Sequence, residues 1–109
     1  YNQLIKINEL FIMHGHEIRA TSNLINVARQ YLLKLQANIL LGHWHISQSY
    51  SSRDLKGKVK SVWVNGCLCD LYPEYNLFNQ WEHGFAEVIT NRDRGFIVNL
   101  RRIINKEIY

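Results

Sequence analysis

Leu10-Phe11-Ile12-Met13-His14-Gly15-His16 and Ile39-Leu40-Leu41-Gly42-His43-Trp44-His45 decide how this chain folds. Each is an apolar run that stops at glycine and histidine. A short apolar run bounded by glycine reads as a buried strand. The stretch between the two runs is long enough for a helix, so together they form a strand–helix–strand unit. A connection of that length is a right-handed parallel crossover. Open α/β sheets place their binding sites at strand ends, and imidazole is the commonest metal ligand and titrates near neutrality. The two histidine clusters are therefore the first candidates for function.

Outward from this unit the elements read in order. Gln3 to Asn8 alternates Leu4, Lys6 and Asn8 against Ile5 and Ile7, a strand pattern, and Asn8-Glu9 is a tight turn into the Leu10 to Met13 strand. Thr21, Ser22 or Asn23 supplies a helix cap. The helix is expected from Asn23 to Leu35, with Leu24, Ala28, Tyr31, Leu32 and Leu35 on its apolar face and Arg29, Gln30 and Lys34 toward solvent. After the Ile39 to Leu41 strand, Ile46 to Ser52, a turn at Asp54-Leu55-Lys56-Gly57 and alternating Lys58 to Val64 make a hairpin, ended or bulged at Asn65-Gly66. Asp70 to His83 holds the only proline, Pro73, and reads as a long loop anchored by Tyr72, Tyr75, Phe78 and Trp81. Loops of that length are functional or cover something. Gly84 to Ile89, a turn at Asn91 to Gly95 and Phe96 to Arg101 make a second hairpin, which Ile103 to Tyr109 extends. The order β, β-α-β, then three or four antiparallel strands builds a layered α/β or α+β domain.

The length of 109 residues suits one domain with a modest core. The net charge of +4 favours an anionic partner only weakly. Arg53, Lys56, Lys58, Lys60, Arg101 and Arg102 mark a candidate nucleic-acid surface, although such clusters are usually solvated faces. No run reaches the apolar length of a membrane span, so no membrane partner is expected, and no signal-peptide pattern opens the chain. It begins Tyr1-Asn2-Gln3 without an initiator Met and runs directly into Leu4, Ile5 and Ile7, which reads as a protein entered in its middle. Cys67 and Cys69 would face the same side of a strand. Their spacing is poor for a disulfide and wrong for a zinc knuckle. They read as packed, reduced thiols, which makes a cytoplasmic location the default.

His43 and His45 stand beside Gly42, which lets the backbone turn sharply. His14 closes the neighbouring strand, and neighbouring strands lie about 5 Å apart, so the three rings are expected to share one pocket. Three imidazoles suit Zn²⁺, Mn²⁺ or Fe²⁺. A two-metal hydrolytic site also needs carboxylates. Glu17, Asp54 and Asp70 are the only acids near the motifs, and none has paired spacing.

These residues resemble the closing motifs of the calcineurin-like metallophosphoesterases. That family carries Asp-x-His, Gly-Asp, Gly-Asn-His-Asp/Glu, a lone His, and last Gly-His-x-His. Here His14-Gly15-His16, the helix and Gly42-His43-Trp44-His45 match the end of that series. Trp63-Val64-Asn65-Gly66-Cys67-Leu68 and Trp81-Glu82-His83-Gly84-Phe85-Ala86 are similar to its phage and prophage branch. The resemblance covers nearly the whole chain but only the second half of the family domain, because the earlier motifs are absent from these residues.

The resemblance implies that residues 1–109 are a single partial domain, the C-terminal half of an αββα layered sandwich with mixed sheets. It implies two divalent ions, with His14 and His43 on the second metal and His45 on the first. The bridging Asp, the remaining ligands and the histidine that contacts phosphate would lie outside this chain. His16 is expected to support a ligand by hydrogen bonding or to be structural, and His83 to be structural or to border the substrate groove. The implied activity is metal-dependent hydrolysis of a phosphoester, as a phosphatase, phosphodiesterase or nuclease acting on a substrate such as a nucleotide or nucleic acid. It would be incomplete in this chain alone. The alternative is a non-catalytic scaffold or binding protein, for which the family has a precedent in a retromer sorting subunit. An isolated half would leave a sheet edge and apolar surface exposed, so the expected partner is the N-terminal half of the domain or a second copy.

Overall fold

The computed structural model describes residues 4–15, 26–68 and 82–109. The two apolar runs form β2 (Leu10–Met13) and β3 (Asn38–Leu41), joined through α1 (Val27–Leu35). They pair in parallel, with Phe11 opposite Ile39 and Met13 opposite Leu41, as a crossover requires. β1 (Ile5–Ile7) folds back antiparallel on β2 through the Asn8-Glu9 turn. The next hairpin is β4 (Gln48–Arg53) and β5 (Val59–Val64), and β5 adds in parallel to β3. The result is a five-stranded mixed sheet of order β1-β2-β3-β5-β4.

Strand alternation sorts the core. Ile39, Leu41, Val62 and Val64 are buried with Val27, Ala28, Tyr31 and Leu32 of α1, and Ile46 closes the cluster. Trp63 projects from the opposite face of β5, where its ring meets Phe96 edge-on with centroids 5.9 Å apart. Phe96 begins β7 (Phe96–Ile104), which pairs with β6 (Gly84–Thr90) and β8 (Glu107–Ile108) in a second, antiparallel sheet. The Asn8 side-chain amide donates to the Gly95 carbonyl (2.9 Å), so the turns of the two sheets also meet. The layers are thus α1, the five-stranded sheet and the three-stranded sheet, and the fold is mixed α/β.

Three expectations change. Asn26 takes a left-handed conformation with φ 64°, so the continuous helix starts at Val27 rather than Asn23. The proposed caps Thr21, Ser22 and Asn23, together with Leu24, lie outside the described residues. Leu35 is 38 % exposed instead of buried, because α1 ends there and Gln36 turns left-handed at φ 50°. Ile103 and Ile104 extend the strand as expected, but Asn105 and Lys106, both at positive φ, then reverse the chain, and β8 pairs back on β7. Asn65-Gly66 ends β5.

Candidate functional site

Parallel pairing brings the carboxyl ends of β2 and β3 side by side. The Gly42 N–H donates to the His14 carbonyl (3.1 Å), and the Asn65 N–H to the Leu41 carbonyl (3.0 Å), which carries the pairing past the strand ends. His14 and His43 are both exposed there, with ring centroids 4.9 Å apart at 64°. His45 is half-buried. Burial pushes its pKa below the ordinary imidazole value, and the charge of His14 lowers it further. His14 therefore adjoins one imidazole and acts electrostatically on the other.

The turn that displays these rings is built differently from the expectation. Gly42 is not the left-handed residue; His43 (φ 69°) and His45 (φ 61°) are. The Trp44 N–H donates to the Gly42 carbonyl (2.8 Å), closing a tight three-residue turn around His43, a rare and strained form. Non-glycine residues in this region cost about 1–3 kcal/mol each and persist where the surroundings over-determine them. Here Trp44 does so, packing against the α1 core between the two histidines. Its ring stands at 85° to that of His43, with centroids 5.0 Å apart.

Two positioning residues were not singled out from the sequence. Gly15 sits at φ 108°, and a Cβ there would lie 2.9 Å from the Gly42 carbonyl oxygen, so only glycine lets the two strand ends approach. The buried Tyr31 hydroxyl donates to the Gly15 carbonyl, tying the helix to the loop that carries His14. A glycine between two histidines was a signal for the first. Nothing local distinguished Tyr31 from a core aromatic.

The other candidates are dispersed. His16, Glu17, Cys69, Asp70 and the loop aromatics Tyr72, Tyr75, Phe78 and Trp81 lie outside the described residues. His83 is not a loop residue: it bridges in parallel to Cys67 just before β6. The neighbouring Glu82 N–H donates to the His45 carbonyl (2.6 Å), so this segment runs beside the histidine turn. Cys67 is buried, as a packed thiol should be. Asp54 lies in the β4–β5 turn, at the far end of β5 from the histidines, and its Oδ1 accepts from the Lys56 and Lys58 N–H groups (2.9 Å each). The basic residues are partly engaged locally. Arg101 pairs with Glu87, Arg102 Nη2 lies 3.1 Å from Glu82 Oε2, and Lys60 Nζ donates to the Gln36 carbonyl (2.7 Å).

Neutral imidazoles are fitting metal donors, so the chemistry of the donor set suits a metal centre in kind. Among the described residues it falls short in number: no three His, Cys, Asp or Glu side chains are grouped to hold an ion. The observed unit is the His14–His43 pair with His45 within electrostatic reach.

No protein-family profile matches the chain, and no curated protein matches its sequence. Solved structures do. A single-site mutant of Vps29 from Entamoeba histolytica superposes with a TM-score of 0.59 at 18% identity, over 98% of this chain and 56% of that one. Wild-type Vps29 from the same organism, complexed with Zn²⁺, superposes with a TM-score of 0.57 at 16% identity, again over 98% and 56%. The chain thus spans little more than half the length of the structures it matches. The likeness shows the fold alone: this chain has part of the mixed α/β metallophosphoesterase fold of those Vps29 structures.

Proposed function

We propose that this chain carries the histidine share of a phosphoester-hydrolysing metal centre, as the C-terminal half of a metallophosphoesterase domain whose carboxylates belong to a second segment. The observation that carries this reading is the His14–His43 pair, 4.9 Å apart at the carboxyl ends of adjacent parallel strands, with His45 beside it. Ligation requires imidazole in its neutral form. Burial, and then the charge of His14, lower the pKa of His45 and so favour its neutral form. Gly15, Tyr31 and Trp44 hold the strand ends in place, which is the chain's own contribution to pre-organisation. A divalent metal pair supplies phosphate binding and activation of water in sites of this class. Mn²⁺, Zn²⁺ and Fe²⁺ all suit such donors, and the Zn²⁺ complex of a fold neighbour supports zinc. The chain's net positive charge suits an anionic phosphoester, nucleotide or nucleic acid included. The buried Cys67 thiol suits a cytoplasmic setting.

The test is a titration of the whole chain with Zn²⁺ and Mn²⁺, followed through imidazole nitrogen resonances. His14 and His43 should respond together, and His14→Ala should abolish the response of His43. The chain alone should show little Mn²⁺-dependent cleavage of an aryl phosphodiester. Robust turnover abolished by His45→Ala would overturn the claim that a second segment is needed. A scaffold without chemistry is the second reading, favoured by the lack of a three-donor group among the described residues. Imidazole resonances unmoved by either metal would establish it in place of the first.

A further inference from the structure

Three neighbouring parallel strands, β2, β3 and β5, end at the same edge of the five-stranded sheet. The first two run into the histidines, and β5 runs into Asn65. Leu41 pairs with Val64, so Gly42 and Asn65 are the next residues along those two strands. Val64 is buried in the α1 core, and alternation turns the Asn65 side chain to the opposite face. There it leans over Gly42: a Cβ on that glycine would lie 3.4 Å from Asn65 Oδ1 and 3.7 Å from the His14 carbonyl oxygen. The carboxamide thus stands where the strand ends that carry His14 and His43 meet. Other asparagines use their carboxamides to hold the fold. Asn8 donates to the Gly95 carbonyl, Asn38 accepts from the Ser61 N–H (2.9 Å), and Asn91 accepts from two turn N–H groups. Asn65 holds the sheet through its backbone N–H, which donates to the Leu41 carbonyl, while its half-buried side chain hydrogen-bonds to none of the described residues.

We propose that Asn65 is a substrate-contacting residue of the histidine site, its carboxamide N–H donating to a non-bridging oxygen of the phosphoester. The inference rests on the proposed function for the presence of a phosphoester beside the histidines. Position comes first: ligands of open α/β sheets bind outside the carboxyl ends of the strands, and Asn65 is the third such end in a row. The chemistry of the free end comes next. Oδ1 is the atom turned to Gly42, so Nδ2, with two N–H donors, is the atom left for a ligand. Its partner must therefore offer acceptors, as ionised phosphate oxygens do strongly. An amide N–H also leaves metal ions alone and carries the same neutral charge at every physiological pH. It can hold the anion without competing for the ion that the imidazoles would bind. With its backbone tied to Leu41, the group is fixed in advance, the condition under which such donors stabilise developing charge.

The test titrates the whole chain, ¹⁵N-labelled on asparagine, with phenyl phosphate, both zinc-free and saturated with Zn²⁺. The Asn65 side-chain resonance is the one missing from Asn65→Ala. In the zinc-loaded chain it should shift saturably. Asn65→Ala should weaken phenyl phosphate about tenfold, the loss expected for one hydrogen bond to a charged group. Asn65→Asp keeps the shape without the donor and should weaken it at least as much. The zinc midpoints of His14 and His43 should meanwhile stay within about twofold in Asn65→Ala. A merely structural role would move those midpoints and leave Asn65→Asp close to the native chain in phosphate affinity. An unmoved Asn65 resonance overturns the contact, as does native phosphate affinity in either variant. Phosphate affinity lost together with zinc affinity in Asn65→Ala overturns it too. If neither imidazole responds to zinc, the metal centre is refuted separately, and the zinc-free titration decides on Asn65 by the same shift and the same two variants.

Discussion

In the β2–α1–β3 crossover, strands separated by a whole helix pair in parallel, and the largest fully buried side chains lie there or in the adjoining β5. In the β6–β7 hairpin, pairing runs unbroken from Gly84–Arg102 to Thr90–Phe96 out of one short turn, and Gly84 is its only buried residue. The first region is held by apolar burial between distant segments. The second is held by a local turn and backbone ladder. The histidine pair sits on the first, where the parallel pairing of β2 and β3 sets their carboxyl ends, and so the two rings, side by side.

The sharpest way to break this comparison is to remove apolar volume from each region. Leu41→Ala, 1% exposed and central to the core, should cost about 2–5 kcal/mol. Ile97→Ala in β7, 58% exposed, should stay within about 0.5 kcal/mol. Urea midpoints measure both, and a large cost for Ile97→Ala would mean that the second sheet has a buried face of its own.

Where the regions join, Gly66→Ala should be the next largest effect. A Cβ there would lie 2.5 Å from the Glu82 carbonyl oxygen and 2.9 Å from the Gly84 nitrogen, both backbone atoms that cannot swing aside. A loss of about 1–3 kcal/mol is expected. It should come with exchange of the Cys67 and Gly84 amides, which donate to the Glu82 and Cys67 carbonyls. Protection of those amides retained in the variant would refute the account.

Asn91→Ala tests the hairpin alone. The Asn91 side-chain oxygen accepts from the Asp93 N–H (3.0 Å) and the Gly95 N–H (2.8 Å), and its loss should cost about 1 kcal/mol. Faster exchange should appear in β6 and β7 and not in β2 and β3. Spread of the effect into the crossover would mean that the two sheets unfold as one unit.

The smallest effect should be a pH dependence confined to the histidine turn. His45 has a pKa lowered below 6.5 by burial and then by His14. Between its folded value and 6.5 the unfolded chain therefore binds more protons than the folded one. Stability rises with pH across that window, is fully present above it, and is lost as pH falls through it. His45→Gln should flatten the change in urea midpoint below pH 6.5 without altering the response of Asn91→Ala.

How much was legible follows from the same contrast. The crossover could be read because apolar runs of four residues before His14-Gly15 and of three before Gly42 are each a buried-strand signal. The hairpins could be read because Asp54 to Gly57 and Asn91 to Gly95 are turn chemistry. The histidines could be found because residue type and strand-end position are both visible in one dimension. Gly42 marked a sharp turn beside the histidines, since glycine is the usual residue where the backbone reverses. The left-handed residues are instead His43 and His45, on either side of the partly buried Trp44 that packs against the core. Leu35 looked buried by helical spacing alone, but it is the last residue of α1, before the left-handed Gln36, and stays 38% exposed.

The sequence by itself determined the order of strands and helix, the crossover, and which side chains are available as metal donors, because these depend on local periodicity and residue chemistry. Only the tertiary structure decided that His14 and His43 come together and that Gly15 and Tyr31 tie the strand ends that carry them. Those outcomes depend on contacts between segments far apart in the chain, whose burial overrides what each residue would do alone.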